Sequence, residues 1–202
     1  MTPPEPVIRS RPPAVAGLFY PDDPYELRAV VRSYLDAAPA PAADRPKVLI
    51  VPHAGYVYSG PVAASAYRTL VGRSDAIERV VLAGPSHRVP VAGIALPDVA
   101  AFDTPLGRIP IDTATVQRLL ELPGVHSSNL PHRMEHSLEV QLPFLQMTLG
   151  DFSLVPLAVG DAAPEVVASV LDACWGGPET LLVVSTDLSH YRNYDSARRV
   201  DA

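Results

Sequence analysis

Apolar residues recur along this chain in two rhythms. Leu27, Val30, Val31, Tyr34 and Leu35 fall at i, i+3, i+4, i+7 and i+8, which predicts an amphipathic helix from Asp22-Asp23-Pro24 to about Ala38. The aspartates offer an N-cap, and proline suits a first helical turn. Short apolar runs rich in β-branched residues alternate with such stretches. Val48–Val51, 79–83, 154–158 and 181–184 read as buried strands, with 91–96 a further candidate. Helices are expected from Pro61 to Leu70, from the cap Asp112 through Leu120, over 135–149 with a kink at Pro143, and over Pro164–Ala173. Strand, helix, strand in this order implies βαβ units, hence an α/β fold with a mostly parallel sheet flanked by helices.

Composition narrows the class without changing the fold. A chain of 202 residues is read as a single domain, 1–202, with residues 1–10 flexible. Sixteen Lys and Arg against 22 Asp and Glu leave a net charge of −6, which argues against a nucleic-acid binder or a cationic membrane-surface protein. At 48% hydrophobic and 19% charged residues, the chain is not an acidic disordered one. Its apolar runs fall far short of the ~20 residues that span a bilayer. A lone cysteine, Cys174, cannot form an internal disulfide, and residues 1–6 carry no signal pattern; a cytoplasmic protein is the expectation. The 23 prolines cluster near element ends and act as punctuation, with 39–46 as a polar linker.

In open parallel sheets, ligands bind beyond the carboxyl ends of the strands. His53, His87, Asp161, Asp187 and His190 all follow predicted strands there. His87 follows His53 by 34 positions, the length of one βαβ unit, so the two imidazoles can converge on one ion. The alternative for each is a loop histidine satisfied by backbone carbonyls. Asp187 and His190 stand three apart; they form either an oriented proton-transfer pair or a cap and a surface histidine. His132, Glu135 and His136 spell H-x-x-E-H, the inverted zinc-peptidase pattern, although Pro131 disfavours the helical turn it needs and a peptidase helix leaves His53 and His87 unexplained. His126 reads as an exposed loop residue. Ser86 and Ser189 lie outside any G-x-S-x-G, Cys174 reads as a buried inert thiol, and no dinucleotide or phosphate-loop pattern is present.

Five ordered motifs carry a resemblance to a known family: 11–21 (RPPAVAGLFYP), 52–60 (PHAGYVYSG), 84–87 (GPSH), 135–139 (EHSLE) and 185–191 (STDLSHY). Together they resemble the Memo family, whose prokaryotic members are called AmmeMemoRadiSam system protein B. The resemblance implies a fold similar to the catalytic subunit of class III extradiol dioxygenases. It also implies one redox metal, Fe(II) or copper, held by His53 and His87 with His136, Asp187 and His190 around it. Redox chemistry, a small-molecule or peptide ligand, and a functional link to AmmeMemoRadiSam system A and radical SAM proteins follow from the same likeness; a vertebrate member is linked to phosphotyrosine-peptide recognition. The family takes a third ligand, a cysteine, from chain beyond the point matching Ala202, and Cys174 stands in the wrong place to be it. By that comparison either the chain lacks the C-terminal part of the family fold, leaving an open sheet edge that favours a homo-oligomer, or the site is completed differently.

These readings converge on a metal-binding α/β protein. His53 and His87 are the expected ligands, His190 oriented by Asp187 the proton-transfer partner, and His136 a donor to substrate. A peptide- or phosphopeptide-binding module using the same crevice, with Arg88 and Arg192 at its rim, is the alternative. Metal-assisted hydrolysis is a third.

Overall fold

The structure, a computed structural model, describes residues 10–40, 46–73 and 77–201. Its strands are β1 (Ser10–Arg11), β2 (Val48–Val51), β3 (Arg79–Pro85), β4 (Ile94–Leu96), β5 (Ala101–Thr104), β6 (Gly107–Pro110), β7 (Val125–Ser127), β8 (Ser153–Val159) and β9 (Thr180–Ser185). Its helices are α1 (Pro24–Ala37), α2 (Tyr56–Tyr67), α3 (Thr113–Leu119), α4 (Leu130–Arg133), α5 (Leu142–Leu149), α6 (Pro164–Ala173) and α7 (Tyr194–Asp201). Six strands form one sheet in the order β2-β9-β3-β8-β4-β7, parallel throughout except where β4 meets β8. The mostly parallel α/β architecture is therefore present. A second sheet of three short strands, β1-β5-β6, lies outside it and was not expected; its strands are too short for an alternating pattern to show.

Burial explains the order of the main sheet. The five inner residues of β3 and of β8 are all buried, as strands covered on both faces must be. Helix α1 lays Leu27, Val31 and Leu35 on the core, and Asp23 caps it by accepting from the N–H groups of Tyr25 and Glu26. Pro61 does not open α2, which starts at Tyr56 and carries the proline inside its second turn. The long kinked helix expected over 135–149 is absent. Residues 134–138 are irregular, a 3-10 turn covers Glu139–Gln141, and α5 then begins with Pro143 in its first turn, where no N–H is needed and no kink results. A polar reason stands upstream: the Glu135 carboxylate accepts from the N–H groups of His136 and Ser137, replacing the helical bonds those residues would otherwise make.

The smaller corrections are of the same kind. Strand 91–96 begins only at Ile94, because Gly93 turns through φ +91 and a Cβ there would lie 2.1 Å from the Gly124 carbonyl oxygen. His126 is exposed, but on the edge strand β7 rather than in a loop. Residues 1–9 of the expected flexible start and 41–45 of the expected linker lie outside the described residues.

Candidate metal centre

Three histidines meet at the carboxyl rim of the sheet. His53 follows β2, His87 follows β3, and His136 comes from the irregular stretch before the 3-10 turn. Their ring centroids are 5.1 Å (His53–His87), 5.5 Å (His53–His136) and 4.6 Å (His87–His136) apart. One potential ligand atom from each lies within 4.8 Å of those from the other two. His53 is buried and His136 partly so, packed against Phe19 at 4.7 Å, while His87 is exposed.

The hydrogen bonds fix which nitrogen of two rings carries a proton. Tyr67 donates to Gln141 Oε1 (2.7 Å), so the amide nitrogen of Gln141 faces Pro52 O (2.9 Å) and Ser185 Oγ (2.8 Å). Ser185 spends its one proton on Ser137 O (2.5 Å), so it can only accept from His53 Nδ1, 3.1 Å away. His53 Nε2 is left with a free lone pair. Glu135 does the same for His87: its carboxylate takes the backbone N–H (2.6 Å) and the ring Nδ1 (2.9 Å). Burial alone would raise the Glu135 pKa, but hydrogen bonds from His87 and Ser137 outweigh it and hold the carboxyl below its usual range. Burial also pushes the pKa values of His53 and His136 down, which keeps both rings neutral and able to coordinate. His136 Nδ1 lies 3.2 Å from the same Glu135 oxygen, out of line for a hydrogen bond, and is a buried atom with no partner.

The donor set fits a cation on these observations: three converging imidazoles, two of them with the proton-bearing nitrogen anchored outward, to a hydroxyl and to a carboxylate. Three histidines leave further positions of a divalent ion open, and they suit borderline metals such as iron, copper or zinc.

Asp187 sits at the edge of this group. One oxygen accepts from the backbone N–H of His53 (2.7 Å), and the other lies 3.8 Å from His53 Nε2 and 3.3 Å from His190 Nε2. The segment between Asp187 and His190 is not helical, so their proximity comes from an irregular turn that ends at Tyr191 with φ +57. Asp161 is exposed, its backbone pairing with Val91 and Gly93, and it is not among the residues gathered with the three histidines. His132 is turned away from His136: it is buried against Phe102 with Nε2 on Ala95 O at 3.0 Å, so the two do not form the peptidase pair. Ser86 donates to Val89 O and Ser189 to the Asp201 carboxylate, and neither is hydrogen-bonded to a histidine. Cys174 is buried with its pKa pushed up to about 11 by burial, as an inert thiol would be.

Sequence reasoning missed the residues that hold the rings. Glu135 and Ser185 stood inside the recognised motifs, but Glu135 was given a role only as a peptidase base and Ser185 none, and Gln141 did not enter. Ser185 did carry a signal, since it ends a strand on the ligand-binding rim. Gln141 carried none.

A family model for Memo-like proteins matches residues 11–202. Relatives described as MEMO1 family proteins include one from Thermotoga neapolitana, 37% identical over 95% of this chain and 74% of its own length. Others come from Methanopyrus kandleri (39%; 95% and 72%) and Aquifex aeolicus (37%; 96% and 72%). Among the described residues no helix is long and apolar enough to cross a membrane. With its motifs in order along an α/β sheet and three histidines gathered at the rim, this chain belongs to the Memo-like protein family.

Proposed function

We propose that this chain binds one redox-active divalent cation, Fe(II) or copper, through His53, His87 and His136, and that the site acts on a ligand by oxygen or redox chemistry. The observation that carries the reading is the convergence of three ligand atoms within 4.8 Å. A cation so held supplies electron transfer to or from a molecule at its open positions. The residues of the chain do the rest. Glu135 and Ser185 lock ring orientation through the outward nitrogens, Phe19 shields one side of His136 from water, and Asp187 holds His190. His190 is 55% exposed, with Nε2 3.3 Å from the Asp187 carboxylate, and so can pass a proton between solvent and a bound molecule.

Metal content of the purified chain, measured beside His53→Ala, His87→Ala and His136→Ala, tests this. About one ion per chain is expected in the parent and a small fraction of that in each variant. Glu135→Gln should keep the ligands but weaken affinity by roughly 10- to 100-fold. Equal metal in all of these proteins would remove the assignment. Oxygen uptake with a panel of oxidisable ligands, set against release of phosphate or amine, separates redox chemistry from metal-assisted hydrolysis.

A further inference from the structure

Beside the histidine cluster stand two arginines without counter-ions. Arg88 immediately follows His87, and Arg133 ends α4, two residues before Glu135. Among the described residues neither side chain makes an ion pair or a hydrogen bond. The field of Arg88 reaches the His136 ring. In a chain of net charge −6, these two guanidiniums without counter-ions share one short stretch of surface.

Both arginines line a cavity of about 300 Å³ whose other walls are Val89, Leu130, Pro131 and Met134. Leu130 and Met134, two large apolar side chains on the same cavity, are 59% and 50% exposed. Leu130 and Arg133 also border a second cavity, of about 500 Å³, which runs on to Pro12, Pro97 and Val99. At that far end most polar groups are already used: Asn129 is bound to the backbone of Asp98, Ser10 to Asp103, Arg11 to His132 O, Glu135 O and Glu139, and His132 Nε2 to Ala95 O, with only the buried His132 Nδ1 lacking a partner among the described residues. The near end offers cationic hydrogen-bond donors, whereas the far end is walled mainly by apolar surface.

We propose that this double groove binds a monocarboxylate with an unbranched apolar tail, its acid group between Arg88 and Arg133 and its tail over Leu130 toward Pro12, Pro97 and Val99. Two guanidinium forks match one carboxylate. Arg88 directly follows His87 and Arg133 stands two residues before Glu135, so the acid end is placed next to the segments that carry the proposed site, and the groove names a substrate class for it. The idea rests on the metal reading for the chemistry that follows but not for capture of the ligand.

Titration calorimetry of butanoate, hexanoate and octanoate against the full chain, metal-free, tests it. Affinity should rise about two- to fourfold per added methylene, since each buried CH₂ is worth up to ~0.8 kcal/mol. Octanoate should bind at least about tenfold more weakly to Arg88→Ala and to Arg133→Ala, and octanamide should lose a similar factor against the parent. Both arginines are exposed, and far-ultraviolet circular dichroism checks that the variants fold. No octanoate binding, binding indifferent to both arginines, a flat chain-length series, or binding of an acidic peptide in its place would each overturn the proposal. Loss of metal in the histidine variants without octanoate binding sinks the groove alone, whereas octanoate binding by a chain that takes up no metal sinks the metal reading alone.

Discussion

His132 shows what a buried imidazole does when it is not part of a cluster. Burial, offset only in part by the hydrogen bond to Ala95 O, pushes its pKa down to about 4. The same ring in the unfolded chain takes up a proton near pH 6.5. Between those values the unfolded state binds the extra proton, so stability falls as the pH drops from about 6.5 toward 4. Denaturant unfolding at pH 7 and pH 5 should show the parent losing about 2 kcal/mol more than His132→Gln over that interval, although the variant starts lower for want of the Ala95 bond. Equal losses would place the proton elsewhere. His132 also marks a limit of the sequence. Spacing alone put it in one motif with Glu135 and His136, and only the departure from helix after Arg133 separates them. By contrast, His53 and His87 were legible because a strand end one crossover unit from another fixes their location without any knowledge of side-chain packing.

The segment carrying Glu135 and His136 has no regular structure of its own, and β1 supplies its support. Arg11 donates from Nε to His132 O (2.8 Å), from one terminal nitrogen to Glu135 O (2.7 Å) and from the other to Glu139. Glu139, fully buried, also accepts from Ala14 N (2.8 Å), Val15 N (3.0 Å) and Tyr20 Oη (2.5 Å). Its charge thus ties the early chain to the loop that presents a ring. Arg11→Ala leaves that carboxylate buried and unpaired, and chemical denaturation should register a loss of about 3–5 kcal/mol. Adding Glu139→Gln should recover part of the loss, because the stranded charge is gone; no recovery would mean that the damage lies in packing. Nothing in the local pattern of residues 10–15 announces this clamp. Its partners are more than a hundred positions away, and long-range pairing of single polar residues leaves no periodicity. The caps Asp23 and Asp112 and helix α6 were legible for the opposite reason: their physics is contained within one turn.

At the scale of the whole molecule, one border of the main sheet is open among the described residues. Strand β2 pairs with β9 on one side only, and Ile50 on it is 70% exposed. Such an edge is a template for another strand. Sedimentation velocity at rising concentration should therefore show self-association that Ile50→Lys weakens by about tenfold or more while leaving metal content intact; identical behaviour of the two proteins would place any contact on another face. The alternation of apolar runs with helical stretches was enough to reach the α/β class. It could not give the strand order, which depends on crossovers whose direction no single segment encodes. That order has a consequence for biogenesis. Strand β9, the last of the described strands, lies between β2 and β3 and brings Ser185 under His53. A nascent polypeptide that has emerged only as far as α6 holds its first two imidazoles on strands with no common neighbour. The three rings can then gather only after residues 180–185 have emerged from the ribosome, and a translation product stalled before them leaves the first two apart.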